Sequence, residues 1–256
     1  MLQYQAPLGE FNFLVHKVLR LPELLPLLPE HCHVDADLIE AILEVGAELA
    51  QEQLLPLSGS GDAEGCHLVV DAVRTPTGFP AAYRLFRDNG WPALTVPLSS
   101  GGQGFPGAAG VFFGEMLASS NLSFSIFASV REGVLRCIDR FGDDQVRALF
   151  TEKLASGEWL GTMCLTEPHA GSDLGLISTT AALQSDGSYV LRGTKIFISN
   201  GDHDLTDNIV HLVLARTEGA PQGTAGLSLF VVPKLHLDVP HSPNGVSVVT
   251  LEHKHG

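Results

Sequence analysis

Basic residues are scarce in this chain. Lysine and arginine number 15 against 29 aspartates and glutamates, a formal net charge of −14 over 256 residues. A surface of that sign argues against a nucleic-acid-binding protein. It gives no reason to invoke an anionic membrane either. Cysteine is scarce too, with only Cys32, Cys66, Cys137 and Cys164. No two form a CxxC pair, and their spacing outlines no disulfide framework. His31-Cys32-His33 contains metal-ligand residue types. Adjacent residues of a regular element do not converge on one ion, and no partner cluster follows at zinc-site spacing. No metal site is expected, and the run reads as a polar loop ahead of a helix. Proline, glycine or a charge interrupts every apolar stretch before the about 18 residues that a membrane span needs. The first ten residues lack the cationic start, apolar middle and small-residue cleavage site of a secretory leader. They also lack the arginine-rich character of a mitochondrial one. The expected location is cytoplasmic.

What is present is globular. Apolar residues reach 45% and charged ones 17%, which excludes a disordered chain and suffices for one large or two modest cores. The first part reads helical. Asp35 is a candidate N-cap for a stripe of Leu38, Ile39, Ile42, Leu43, Gly46, Leu49 and Ala50, and Pro56 is expected to end it. Upstream, Phe11, Leu14, Val15, Val18 and Leu19 form a shorter stripe, and Pro22 and Pro26 forbid one long helix between the two. Residues 58–65 read as a Gly/Ser/Asp loop. Further helices are expected over 81–88, 107–119, 123–140 and 144–155, the last capped by Asp143.

Beyond Gly157 the pattern changes. Residues 159–165, 177–183, 189–192, 195–199, 209–216, 227–232 and 246–251 read as strands, with Asp186-Gly187 as a hairpin signal. Strands without intervening helices point to an antiparallel arrangement. The expected fold class is α+β: an N-terminal all-α helical domain followed by an antiparallel β-barrel or sandwich domain. The expected division is 1–34 extension, 35–157 helical domain, 158–256 β-domain.

Two stretches carry chemistry. The first is Met163-Cys164-Leu165-Thr166-Glu167-Pro168-His169-Ala170-Gly171-Ser172-Asp173. A strand ends at Thr166, Pro168 prevents its continuation, and small residues then free backbone N–H groups to hold a phosphate or a polar ring edge. An ordinary turn between strands would share that pattern. The second is Lys195-Ile196-Phe197-Ile198-Ser199-Asn200-Gly201. As a strand it would project Phe197 and Ser199 from one face.

Together, about 22 residues apart, these stretches resemble the flavin-binding signature of the acyl-CoA dehydrogenase family. Trp91-Pro92-Ala93-Leu94-Thr95-Val96-Pro97 with Gly101-Gly102-Gln103-Gly104 resembles that family's helical-domain turn. Phe141-Gly142 and the run from Lys153 to Gly161 resemble its approach to the flavin motif. Tyr4-Gln5-Ala6-Pro7-Leu8 and Glu252-His253-Lys254 resemble the longer subfamily that includes the methylmercaptopropionyl-CoA dehydrogenases.

The resemblance implies a helical N-terminal domain, a β-domain and a C-terminal helical bundle. It implies FAD as cofactor and an acyl-CoA thioester as substrate, oxidised to a 2-enoyl-CoA. The implied partner is electron-transfer flavoprotein or a similar acceptor, and the complete form is expected to be a homo-oligomer. Met163, Leu165 and Thr166 are expected to line the flavin ring, and Thr166 to bond its edge. Gly171 and Ser172 are expected to approach the FAD pyrophosphate, with Ser172 also touching substrate. Phe197, Ile198 and Ser199 are expected to pack on and bond the flavin. Phe197 stands where the family often has Trp, and Ser199 where it often has Thr. Glu167 and Asp173 belong to the family's loop pattern and are read as structural, with Lys195 as a possible ion-pair partner. Phe112, Phe113, Leu117, Phe124 and Phe127 are candidate acyl-pocket walls, although plain core packing explains each of them better.

The family's catalytic base lies in the C-terminal bundle. The chain is expected to stop within the β-domain, so no catalytic residue is assigned. Such a chain is expected to bind FAD weakly and to leave acyl-CoA unoxidised on its own. A flavin or acyl-CoA binding module without catalysis, and part of an acyl-CoA oxidase, remain alternative readings.

Overall fold

The computed structural model describes residues 3–70, 72–239 and 241–252. Of the closing Glu252-His253-Lys254 run, only Glu252 falls within them.

The helical part begins with α1 (Leu8–Phe13), which widens into a π-helical turn over Leu14–Val18. Arg20 takes a left-handed conformation (φ 53°), and the short α2 (Leu21–Leu24) starts beyond it, so the proline pair breaks the path as expected. Ala6, Phe11, Val15, Leu21, Leu25 and Val34 all enter the main core. Residues before 35 therefore pack as part of the helical layer.

Helix α3 (Ala36–Glu48) is capped by Asp35, whose carboxylate accepts from Leu38 N at 2.8 Å. The helix does not end at Pro56. A π-helical turn over Leu49–Leu54 leads into α4 (Leu55–Glu64), with the proline in its first turn. Proline is tolerated there because its missing N–H is not demanded and its fixed φ suits a helix start. The expected loop over 58–65 is thus helical up to Glu64. Gly61 is required in it, since a Cβ would sit 2.7 Å from the Phe79 ring.

A two-stranded antiparallel hairpin, β1 (His67–Val69) and β2 (Ala72–Arg74), follows. The helical part is therefore not all-α. Helices α5 (Phe79–Asp88), α6 (Gly107–Ser120), α7 (Leu122–Phe141) and α8 (Asp144–Ala155) match the expected spans closely. Phe112, Phe113, Leu117, Phe124 and Phe127 are buried in the core, where Phe113 stacks on Trp91 at 4.1 Å and on Phe86 at 6.3 Å. Core packing accounts for them. The 91–104 turn is held from the N-terminal side. His31 Nδ1 donates to Gly104 O at 2.9 Å and His33 Nε2 to Gln103 O at 3.0 Å. The His-Cys-His run is a staple for this turn.

The second part is a five-stranded sheet of β3 (Leu160–Cys164), β4 (Thr180–Leu183), β5 (Tyr189–Arg192), β6 (Ile209–Thr217) and β7 (Leu227–Pro233). It is mixed, not antiparallel. Strand β6 pairs in parallel with β3, in the register Leu160↔Ile209 to Cys164↔Val213, and with β4 at Thr180↔Arg216. Strands β5 and β7 pair antiparallel with β4 and β6. Parallel pairing needs a crossover. Here the crossover from β3 to β6 contains the β4–β5 hairpin in place of a helix, which is why the strand-rich pattern read as antiparallel. Residues 195–199 and 246–251 form no strand.

The two parts share an interface. Helix α7 lies on the sheet so closely that a Cβ on Gly161 would be 2.8 Å from Val134. The 200–208 loop clasps the helical part. Asp202 accepts from Val73 N at 3.1 Å, Asp204 from Thr75 N at 3.1 Å and Thr75 Oγ1 at 2.7 Å, and Asn200 donates to Ile126 O at 3.2 Å. Among the described residues no helix is long and apolar enough to cross a membrane. Nor do they contain a metal-ligand cluster of three or more side chains.

Candidate functional site

Strand β3 sends alternate side chains to opposite faces. Thr162 and Cys164 are buried on one face, where Thr162 Oγ1 lies 2.6 Å from His211 Nδ1. Gly161 and Met163 lie on the other. Gly161 is covered by Val134, whereas Met163 emerges 37% exposed two residues further on. Leu165 and Thr166 follow, both half-buried. An apolar ledge thus opens where the helix cover ends.

The loop after the ledge turns on Glu167, the organising residue of the site. Glu167 and Ala170 exchange backbone hydrogen bonds of 2.9 and 3.0 Å. The Glu167 side chain is 1% exposed. One oxygen accepts from Ser178 N at 2.8 Å and Ser178 Oγ at 2.7 Å. The other accepts from Thr179 N at 3.0 Å, from Thr179 Oγ1, and from Lys195 Nζ at 2.9 Å. Burial alone would raise its pKa. The hydroxyls of Thr179 and Ser178, the Ser178 amide and the Lys195 ammonium more than offset that and hold the carboxyl well below its usual range. A carboxylate so saturated does not accept a substrate proton near neutral pH. Asp173 is likewise occupied, accepting from Gly175 N at 2.9 Å.

The fixed loop displays donors. Among the described residues, no acceptor lies against the backbone N–H groups of Thr166, Gly171, Ser172 and Asp173, nor a partner against the Thr166 and Ser172 hydroxyls. Gly171 and Ser172 are exposed, and a Cβ on Gly171 would meet Thr166 Cγ2 at 3.8 Å, so the two ends of the loop adjoin.

The second stretch reaches the same place by another route. Ile196 N donates to Thr166 O at 2.9 Å, and Lys195 Nζ donates to Leu165 O at 2.9 Å. Residues 195–199 are bound to the end of β3 through these contacts and not through a ladder. Phe197 takes a left-handed conformation (φ 58°), as does Asn200 (φ 58°). The alternation that would set Phe197 and Ser199 on one strand face therefore does not apply. Both side chains are exposed and Ile198 is half-buried. A left-handed aromatic residue is uncommon and costs backbone energy, and such residues concentrate at functional sites. The structure sets Met163, Leu165 and Thr166 at the end of β3, returns Gly171 to Thr166 with Ser172 exposed beside it, and ties this strand end to the stretch holding Phe197, Ile198 and Ser199. The sequence carries no signal of the Ser178-Thr179 clamp on Glu167, since no local spacing rule connects residues 11 and 12 positions apart across a turn.

A family model of the acyl-CoA dehydrogenase N-terminal domain matches residues 40–158, and one of the acyl-CoA dehydrogenase middle domain matches residues 162–256. A 3-methylmercaptopropionyl-CoA dehydrogenase of Ruegeria pomeroyi is 41% identical over 256 residues, spanning 99% of this chain and 43% of that protein. A butyryl-CoA dehydrogenase of Syntrophomonas wolfei is 32% identical over 261 residues, spanning 99% of this chain and 42% of that protein. The solved structure of an acyl-CoA dehydrogenase complexed with FAD from Bacillus anthracis superposes with a TM-score of 0.62 at 24% identity, covering 79% of this chain and 32% of that one. At that identity it shows the fold alone. The chain spans less than half the length of these relatives. With both domain models matched in order along nearly its whole length, the chain belongs to the acyl-CoA dehydrogenase family, a family of oxidoreductases.

Proposed function

We propose that residues 158–256 carry the flavin cradle of an FAD-dependent acyl-CoA dehydrogenase and that residues 35–157, with the 1–34 extension packed on them, form its helical N-terminal domain. The observation that carries this reading is the donor set: Thr166, Gly171 and Ser172 present N–H groups and hydroxyls that no described residue uses, beside the exposed Met163. That set fits FAD. An apolar ledge suits a ring face, a fixed N–H and hydroxyl suit a ring edge, and successive backbone donors suit a pyrophosphate. Met163, Leu165 and Thr166 would hold the ring, Gly171 and Ser172 the pyrophosphate, and Phe197, Ile198 and Ser199 the ring from the second stretch. Ser172 would also touch the acyl-CoA. Bound FAD supplies the hydride acceptor for α,β-dehydrogenation of an acyl-CoA thioester.

The chain's own residues then do three things. Thr166 orients the ring edge and stabilises negative charge arriving there, a fixed donor being effective where charge develops. Met163 and Leu165 exclude water from the ring face. Glu167 holds the loop and takes no proton from substrate, because its oxygens are filled. The α-proton is taken by a base from outside the described residues. The acceptor of electrons is electron-transfer flavoprotein or a protein like it, the complete form is a homo-oligomer, and its place is the cytoplasm.

The test is direct. Titrating the purified chain with FAD is expected to quench flavin fluorescence with weak affinity. Adding acyl-CoA and an electron acceptor is expected to give no acceptor reduction above a protein-free control. Flavin fluorescence unchanged at millimolar protein would overturn the cradle. Acceptor reduction would overturn the external base.

A further inference from the structure

Lys195 is nearly buried, its side chain 10% exposed, and it does two jobs. Its ammonium pairs with Glu167 at 2.9 Å and donates to the Leu165 carbonyl at 2.9 Å. The second contact has a stereochemical consequence. The Leu165–Thr166 peptide is planar and trans, so its C=O and N–H point in opposite directions. With the carbonyl turned toward Lys195, the Thr166 N–H is turned away from it, and it meets no acceptor among the described residues. A half-buried N–H that no described residue uses is open to water or to the acceptor atom of a ligand. The ammonium also withdraws charge through the carbonyl, which makes the opposite N–H a better donor.

We propose that Lys195 is a positioning residue, which acts through the Leu165–Thr166 peptide to aim and strengthen the Thr166 N–H as a donor to the flavin ring edge. This deepens the cradle reading above and rests on it. The chemistry recognised is an acceptor atom on a planar heteroaromatic ring, one that gains electron density when the ring is reduced. Lys195 touches neither ring nor substrate. Its effect is on how well the site favours the reduced ring. Other contacts agree with a fixed geometry: Ile196 N bonds Thr166 O at 2.9 Å, so the peptides on both sides of Thr166 are held by the 195–196 segment.

The test compares Lys195→Met and Lys195→Arg with the unaltered chain. Met keeps the aliphatic stem and removes the donor, whereas Arg keeps charge and donors. Lys195→Met is expected to weaken FAD binding about tenfold, because the Thr166 N–H loses the contact that aims it and one well-made donor contact to the ring weakens by about 1.4 kcal/mol. It is also expected to move the bound flavin's reduction potential to more negative values. Lys195→Arg is expected to restore both. A purely structural role would lower affinity without moving the potential. The Leu165 carbonyl-carbon chemical shift, measured by nuclear magnetic resonance without flavin, is expected to change in Lys195→Met and not in Lys195→Arg. If the unaltered chain binds no flavin, the cradle reading falls and the carbonyl shift alone decides whether Lys195 orients this peptide. An unchanged carbonyl shift, or an unchanged potential in a Lys195→Met protein that binds flavin, would overturn the proposal. Should Lys195→Met not fold, Lys195→Leu, which likewise lacks a donor, gives the same readouts.

Discussion

Glu167 is the residue on which the site's geometry depends most. Five hydrogen bonds converge on its two oxygens from Ser178, Thr179 and Lys195. Replacing it with alanine leaves two amides, two hydroxyls and an ammonium without their acceptor in a water-poor place. Breaking a buried pair by removing one partner costs about 3–5 kcal/mol. Glu167→Ala is therefore expected to lower the unfolding free energy by about that much, read as a drop in urea midpoint at constant slope. A change below about 1 kcal/mol would show that the clamp is solvated in solution. At this scale the sequence was informative about which residues meet and less so about how. That Met163 and Thr166 lie at a strand end and Ser172 in the loop after it is legible because a proline and a run of small residues leave few conformations. Phe197 was misread because its alternation with Ser199 is that of a strand. The contacts from Lys195 and Ile196 to the end of β3 hold the segment beside that strand without a ladder, and no local pattern encodes them.

At the scale of elements, the helices were legible almost to the residue where caps mark them. Asp35 and Asp143, which the sequence marks as caps, and Asn121, which only the structure shows as one, each accept from the backbone N–H three residues on, at 2.8, 2.8 and 3.0 Å. The caps are not equal, however. Asp35 is exposed, whereas Asn121 is 2% exposed and also donates from Nδ2 to Leu54 O at 3.1 Å, joining α7 to the turn before α4. Removing an exposed cap costs about 1 kcal/mol. Removing Asn121 also loses its buried hydrogen bond to Leu54 O and the packing of its amide at the start of α7, for a further cost of about 1–3 kcal/mol. Asn121→Ala is therefore expected to destabilise by about 2–4 kcal/mol and Asp35→Ala by about 1 kcal/mol. Denaturant melts of the two variants, run side by side, check this, and equal losses would contradict the bridging role. The π-helical turns at Leu14–Val18 and Leu49–Leu54 escaped the sequence reading. An extra residue per turn shifts the apolar stripe without interrupting it, so periodicity alone carries no sign of it. That shift is what lets Pro56 start a helix where a stop was expected. The sheet's parallel pairs escaped for a related reason: strand patterns report which face is buried and say little about direction.

At the scale of the whole molecule, the two halves share an apolar core of α7, α8 and β6 and are clasped by the 200–208 loop, and two buried histidines lie in and beside that loop. His203 is buried there, edge-on to Phe127 at 5.6 Å, and His211 lies on β6 behind Thr162. Neither Nε2 has a partner among the described residues. Burial pushes both imidazoles down to about 4, against the pull of Asp202 on each and of Asp204 on His203, and with Lys234 adding to the lowering. Arg74 pairs with Asp204 and Lys234 with Asp202, so the nearby carboxylates are already engaged. The folded state favours neutral histidine. Between pH 4 and 6.5 the unfolded chain binds more protons than the folded one, so stability is full above about 6.5 and falls as the medium acidifies toward 4. Two such groups give a slope approaching about 2.7 kcal/mol per pH unit across the middle of that window. Glu167, whose carboxyl is held low, adds its own loss only once pH drops into the carboxylate range, so the window from 6.5 to 5 belongs to the histidines. Urea unfolding at pH 7, 6 and 5 is expected to show a steep decline. His203→Gln and His211→Gln are each expected to flatten it by about half, and the double variant to remove most of it. Because His203 lies between the Asp202 and Asp204 that hold Val73 and Thr75 and packs on Phe127, its protonation strains the contact between the halves before the helical core. The far-ultraviolet helical signal should then outlast the near-ultraviolet signal of the packed interface as pH falls. Coincident loss of the two would place the acid-labile point in the cores themselves, not in the clasp that joins them.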